Sequence, residues 1–238
     1  MALTQDTLVF EQDGLTFRPV MFWDDEQNGE QPVVMVCGTI LGRNEFVLDR
    51  ARALARMGYV GVALDVYGEG FATTDFAQGR VKMDALKEDR ESLRTRLSAS
   101  IDFIANQPNV DGLKMAVIGY CFGGLCALDV ARSRDDVRAV ASFHGALTPP
   151  PRMLSAPINA KVLILHGDAD PLVPDEAVTA VQRELTAREA DWQLHRYGFA
   201  YHSFAVPGAN APERGLQYNE LAQRRSWSSL EQLLSESF

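Results

Sequence analysis

No apolar run in the chain approaches the roughly 18 residues that a membrane span needs, which argues against a helical membrane protein. The N-terminus, Met1-Ala2-Leu3-Thr4-Gln5-Asp6, has neither a basic segment nor an apolar one behind it, so no secretory signal is read there. Cysteine is scarce, three in 238 residues. An odd number without paired spacing argues against a disulfide scaffold and fits a reduced, cytoplasmic thiol protein. No Cys/His pair has the local spacing of metal ligands, so no metal site is expected. Positive charge is in deficit: 23 Lys and Arg stand against 32 Asp and Glu, a net charge of −9. Nucleic-acid and anionic-membrane partners both call for clustered Lys and Arg, so neither is expected. Internal repeats, low-complexity tracts and dividing linkers are absent too, and residues 1–238 read as one domain.

What remains is an ordinary globular composition, 46% hydrophobic and 23% charged, arranged as alternating strands and helices. Leu8–Phe10 and Leu15–Trp23 flank the turn dipeptide Asp13-Gly14, which predicts an N-terminal β-hairpin. The continuous apolar run Pro32–Cys37 predicts a strand covered on both faces, with the loop Gly38-Thr39-Ile40-Leu41-Gly42 at its carboxyl end. Phe46–Met57 has a helical rhythm closed by Gly58. Tyr59–Asp65 reads as a buried strand, and Val66–Arg80, rich in Gly, Thr and aromatics, as a long loop. Asp84–Asn106 has no Gly or Pro and predicts one long helix. Strands at Leu113–Ile118, Val137–Phe143, Lys161–His166 and Trp192–Tyr197 follow, with helices at Leu125–Ala131, Asp175–Glu189 and Leu216–Leu234. His144–Pro157, with four prolines, reads as an irregular loop. The class is therefore α/β, with a mostly parallel central sheet flanked by helices on both faces. Sites in such sheets lie beyond the carboxyl ends of the strands.

The organising stretch is Gly119-Tyr120-Cys121-Phe122-Gly123-Gly124. A strand breaks into a helix there, and small residues on both sides of the bend leave Cys121 on its tip in a strained conformation. The helix N-terminus behind it favours an anion, so a thiolate has a reason to sit there. An acid and a base follow in chain order: Asp170 after a strand, His202 after the last one. A thiol is only a few per cent ionised near neutrality, so an imidazole must take its proton and a carboxylate must hold that imidazole. Cys121, Asp170 and His202 are the candidate nucleophile, orienting acid and base. Asp168 competes with Asp170 for its role. His144 and His166 also end strands and read as structural or pocket-lining. The backbone N–H groups of Phe122 and Ile40 are the candidate oxyanion donors. Cys37 and Cys126 read as packed and inert.

These motifs, with His166-Gly167-Asp168-Ala169-Asp170-Pro171-Leu172-Val173-Pro174, Tyr201-His202-Ser203-Phe204 and Asp65-Val66-Tyr67-Gly68, resemble the dienelactone hydrolase family over nearly the whole chain. The resemblance implies a single-domain α/β-hydrolase fold and a Cys-Asp-His triad without a cofactor. It also implies hydrolysis of a small ester or lactone through a thioester acyl-enzyme. Thr39 stands where the family's type member has a glutamate that partners the resting thiol, so substrate gating of the thiol does not carry over by resemblance, and a gated and a constitutively ionised Cys121–His202 pair both stay open. Of the type member's two carboxylate-binding arginines, Arg80 or the neighbouring Lys82 could supply one, and Val206 stands at the place of the other. A neutral or differently charged ester is thus as good a candidate as a dienelactone. Thr39, Arg80, Tyr67 and Tyr120 are the candidate substrate contacts. A thioesterase or acyltransferase on the same triad, or a redox-sensing thiol protein, is the alternative.

Overall fold

The computed structural model describes residues 3–27, 29–151 and 155–238. Part of the expected 144–157 loop lies outside that set. The chain divides inside one strand into two compact units, residues 1–117 and 118–238, and eight of the described strands belong to a large, mostly parallel sheet flanked by helices.

In the first unit the strands are β1 (Leu3–Thr7), β2 (Phe10–Gln12), β3 (Leu15–Phe17), β4 (Val20–Asp24), β5 (Gln31–Cys37) and β6 (Val60–Ala63). The body of β7 (Val110–Tyr120) also belongs here, and the helices are α1 (Glu45–Arg56), α2 (Phe76–Glu88) and α3 (Arg90–Ala105). The strand order is β1-β4-β6-β5-β7, with β1–β4 and β4–β6 antiparallel and β5–β6 parallel. The expected hairpin is present but short. Residues of β2 and β3 pair around Asp13 and Gly14, both at positive φ (51° and 73°), which a tight two-residue turn of this hand requires. Arg18-Pro19 separates it from β4, which joins the main sheet instead. Strand β1 was not read from the sequence, because Leu-Thr-Gln-Asp-Thr is mostly exposed and carries no apolar alternation.

Two expectations in the first unit are corrected by the structure. The single helix expected over Asp84–Asn106 breaks at Asp89, whose backbone leaves helical geometry (φ −105°, ψ 76°) while its carboxylate accepts the Ser92 amide at 2.9 Å as the N-cap of α3. The loop expected up to Arg80 ends at Asp75, which caps α2 through the Ala77 amide at 2.8 Å. Gly79, part of what made that stretch read as a loop, lies inside the helix and is glycine for packing: a β-carbon there would come within 2.4 Å of the Ile40 carbonyl oxygen.

In the second unit the end of β7 is followed in the sheet by β8 (Ala139–Phe143), β9 (Lys161–Gly167) and β10 (Trp192–Tyr197). The pairs β8–β9 and β9–β10 are parallel. Helices α4 (Phe122–Ser133), α5 (Asp175–Ala187) and α6 (Glu220–Ser235) complete it, with a two-residue hairpin, β11 (Asn210–Ala211) and β12 (Leu216–Gln217). The last helix therefore starts at Glu220, not Leu216, capped by the Asn219 side chain on the Ala222 amide at 3.0 Å. Among the described residues no helix is long and apolar enough to cross a membrane.

Candidate active site

The turn from β7 into α4 is built by close backbone approach. A β-carbon on Gly119 would sit 1.9 Å from the Gly123 carbonyl oxygen, so only glycine lets strand and helix meet this tightly. Between them Cys121 is forced to φ 56°, ψ −114°, a strained conformation that costs a non-glycine residue about 1–3 kcal/mol. The strain is held by three hydrogen bonds. The Cys121 amide donates to the Phe143 carbonyl at 3.1 Å, and its own carbonyl accepts from Gly124 at 3.0 Å and Ala146 at 3.2 Å. Cys121 is the N-cap of α4 and partly exposed, whereas Cys37 and Cys126 are buried. Phe122 is residue N1 of the helix, a position whose N–H the helix itself does not use.

Asp170 and His202 approach each other from the loops after β9 and β10. One carboxylate oxygen of Asp170 meets His202 Nδ1 at 2.7 Å, and the other accepts the Leu172 amide at 2.8 Å. Both side chains are almost wholly buried. Asp168 does not compete: it is exposed and ion-paired to Arg196 at 2.6 Å. The two loops are laced together by the Ala169 amide on the Ala200 carbonyl at 3.0 Å, and Gly167 leaves room for the Ala200 and Tyr201 carbonyls. The small hairpin braces them from outside. Leu216 bridges His202, and Gly215, at φ 75°, fits against the Pro171 ring.

Burial alone would discharge His202. The negative sulfur of Cys121 beside it overrides that, with the Asp170 hydrogen bond adding to the effect, and its pKa is pushed up from 6.5 to about 10. Nε2 has no hydrogen-bond partner among the described residues, and the Cys121 sulfur acts on the ring through its charge. The second unit thus brings Cys121, His202 and Asp170 into one series.

The remaining sequence candidates are placed as follows. Tyr120 is buried, its ring stacked on Phe143 at 4.6 Å. In the first unit, Thr39 turns its hydroxyl onto its own loop, accepting the Leu41 amide at 3.2 Å, and Ile40 is buried against Gly79. Tyr67 is buried edge-on to Phe71 at 5.4 Å, and Arg80 is exposed on α2 rather than in a loop. Asp65, which the sequence offered only as part of a motif, ties down the segment that carries Tyr67. Its two oxygens accept the amides of Gly68 at 3.1 Å, Gly70 at 2.7 Å and Arg18 at 3.0 Å.

A mostly parallel sheet with a strained cysteine at a strand–helix elbow, followed by a carboxylate–imidazole pair after two later strands, defines the α/β-hydrolase class. The sequence profile of the dienelactone hydrolase family matches residues 17–238. The chain belongs to that family. It is 35% identical to the dienelactone hydrolase-like promiscuous phosphotriesterase P91 from metagenomic libraries, over 100% of both chains, with a TM-score of 0.95. A Synechocystis protein that carries the provisional name carboxymethylenebutenolidase is 27% identical over 220 residues, 86% of each chain. The uncharacterized Caenorhabditis elegans protein K02A2.1 is 40% identical over 152 residues, 61% of this chain and 94% of that one.

Proposed function

We propose that the chain hydrolyses a carboxylic ester or lactone through a thioester on Cys121, with His202 as base and then acid and Asp170 as the group that orients it. The observation that carries the reading is the Asp170–His202 hydrogen bond of 2.7 Å on a ring whose charge is sustained by the Cys121 sulfur. Asp170 fixes the proton on Nδ1 and so turns Nε2 toward the sulfur. The sulfur attacks the carbonyl carbon, and the N–H groups of Phe122 and Ile40 stay the candidate donors to the oxyanion. Collapse expels the alcohol, which takes the proton from His202. The ring then takes a proton from a water that attacks the thioester, releasing the acid and restoring the thiolate beside the protonated ring. The family profile spans both compact units, which supports treating residues 1–238 as one hydrolase domain. Thr39, Arg80, Tyr67 and Tyr120 stay the candidate substrate contacts.

The charge pair sets the pH dependence. Because the His202 pKa is raised on folding, the pair stabilises the fold in full below the ordinary histidine value of 6.5 and loses that contribution as pH climbs through about 10. A neighbouring imidazolium sustains a thiolate at low pH. Iodoacetamide should therefore alkylate Cys121 at pH 6 nearly as fast as at pH 8, and His202→Gln should slow the pH 6 reaction by about tenfold or more. Equal slowing of wild type and variant on acidification would refute the pair.

A second reading comes from the likeness to P91, which favours attack of the same sulfur on the phosphorus of a neutral phosphotriester. Turnover of p-nitrophenyl acetate and of diethyl p-nitrophenyl phosphate ranks the two, and the ester is expected to be faster. Transfer of the acetyl group to an added alcohol or thiol in preference to water would mark an acyltransferase. No turnover of either compound, with rapid peroxide oxidation of Cys121, would mark a redox thiol and sink the hydrolase reading.

A further inference from the structure

The first residue past β8, His144, is fully buried and held at φ 38°, with its amide on the Leu165 carbonyl at 2.8 Å. Its imidazole lies among rings. The centroid of His202 is 5.2 Å away at an interplanar angle of 65°, that of Phe204 is 5.2 Å away at 81°, and that of Tyr120 is 5.9 Å away. Neither ring nitrogen has a hydrogen-bond partner among the described residues. Burial first, and the adjacent His202 charge second, hold its pKa well below the usual histidine value, so the ring stays neutral.

A phenylalanine would fill the same space without leaving two buried polar atoms unpaired. Such atoms are normally satisfied in folded proteins, and each exception asks for a reason. The reason we find is in the neighbour. His202 is faced by Cys121 from the α4 cap, by Asp170 from the β9–α5 loop and by His144 from the end of β8. Among the described residues, the titratable groups whose rings pack on His144 are His202 and Tyr120. Of the groups around His202, Asp170 bonds to its Nδ1 edge, the Cys121 sulfur acts on it through its charge, and among the described residues His144 packs against it ring to ring.

We propose that His144 is a positioning residue for His202: its imidazole, packed at a steep angle on the His202 ring, holds that ring in the orientation that joins Asp170 to Cys121 and offers it a polar surface in place of a hydrocarbon one. A charged neighbour would repel the imidazolium, and an aliphatic one would neither fix the ring plane nor solvate its charge. A neutral histidine does both. The inference rests on the reading of His202 as the base.

The test compares His144→Phe, which keeps the ring and removes the nitrogens, with His144→Asn, which keeps polar atoms and tolerates positive φ. The readouts are kcat and KM for p-nitrophenyl acetate, alkylation of Cys121 from pH 5.5 to 9, and thermal melting. His144→Phe is expected to melt at the same temperature or higher, keep its KM, and lose about tenfold to hundredfold in kcat, with slower alkylation at pH 6. His144→Asn should recover part of that loss. A merely structural histidine would move melting and activity together, and an unchanged kcat and pH profile in His144→Phe would overturn the proposal. If His144→Phe does not fold, His144→Leu serves in the same comparison with the same criteria. His202→Gln separates the two levels. Loss of turnover there with none in His144→Phe removes this proposal alone, whereas unchanged turnover in His202→Gln removes the base assignment and this proposal with it.

Discussion

Cys121→Ala should lower ester turnover by about 10⁴- to 10⁶-fold, because members of such a triad act as a unit and the base has nothing to activate once the sulfur is gone. Stability should be compared above pH 10, where the charge pair with His202 no longer contributes, and should there move by no more than about 1 kcal/mol, since the side chain is small and only partly buried. Cys121→Ser is expected to leave a much weaker enzyme, as an alkoxide is harder to form than a thiolate. The backbone gives an independent reading of the same site. Cys121 sits at φ 56°, ψ −114°, where a β-carbon is strained, so Cys121→Gly should be more stable than Cys121→Ala by about 1–2 kcal/mol while equally inactive. Denaturant titration and p-nitrophenyl acetate turnover measure the two together. Retained turnover in Cys121→Ala would refute the nucleophile, and a Gly variant no more stable than the Ala variant would refute the strain.

The elbow was legible because its constraint is local. Gly119 and Gly123 are four apart, and the backbone contact between them leaves no alternative to glycine at position 119. Strand β10 was read at its true limits, Trp192–Tyr197, since turn residues bound it on both sides. The break at Asp89 was hidden because an aspartate can end one helix and cap the next with no glycine or proline to mark the place. The choice between Asp168 and Asp170 could not be settled from spacing. Two residues apart in one loop, they differ only in that one faces Arg196 and the other His202, which is a matter of tertiary placement. His144 was seen as a strand-end histidine, but nothing in Phe-His-Gly announces a ring buried without partners.

Charged residues were the least legible of all, and they carry the second large effect: Glu184→Ala should destabilise the protein by about 3–5 kcal/mol. Charges along a helix ordinarily mean a solvated face, yet Glu184 of α5 and Arg132 of α4 are each only 4% exposed at the side chain. They form a two-pronged pair, Arg132 Nε and Nη2 donating to the two Glu184 oxygens at 2.8 and 2.6 Å. Asp129 accepts from Arg132 Nη1 at 3.2 Å, and Arg188 lies 3.7 Å from Glu184. Arg188 in turn donates to the carbonyls of Ala156 at 2.7 Å and Arg132 at 3.0 Å. Two positive and two negative charges balance. Removing Glu184 leaves two buried guanidinium groups with Asp129 as their one carboxylate in this cluster, and a buried charge without its counterion is what makes such deletions costly. The loss should change little between 0.1 and 1 M salt, since a buried pair is poorly screened. Replacing Arg132 with Met and Glu184 with Leu together should recover much of the stability, because both charges leave at once. The network's position ties it to the chemistry. Helix α4 begins at Cys121 and ends beside Arg132, while α5 begins just after the Asp170 loop and carries Glu184. Clamping the two helices fixes the spacing of the sulfur from the carboxylate, so the folded fraction of Glu184→Ala should show a reduced kcat with KM unchanged. A Glu184→Ala protein that unfolds at the wild-type denaturant concentration would remove both claims.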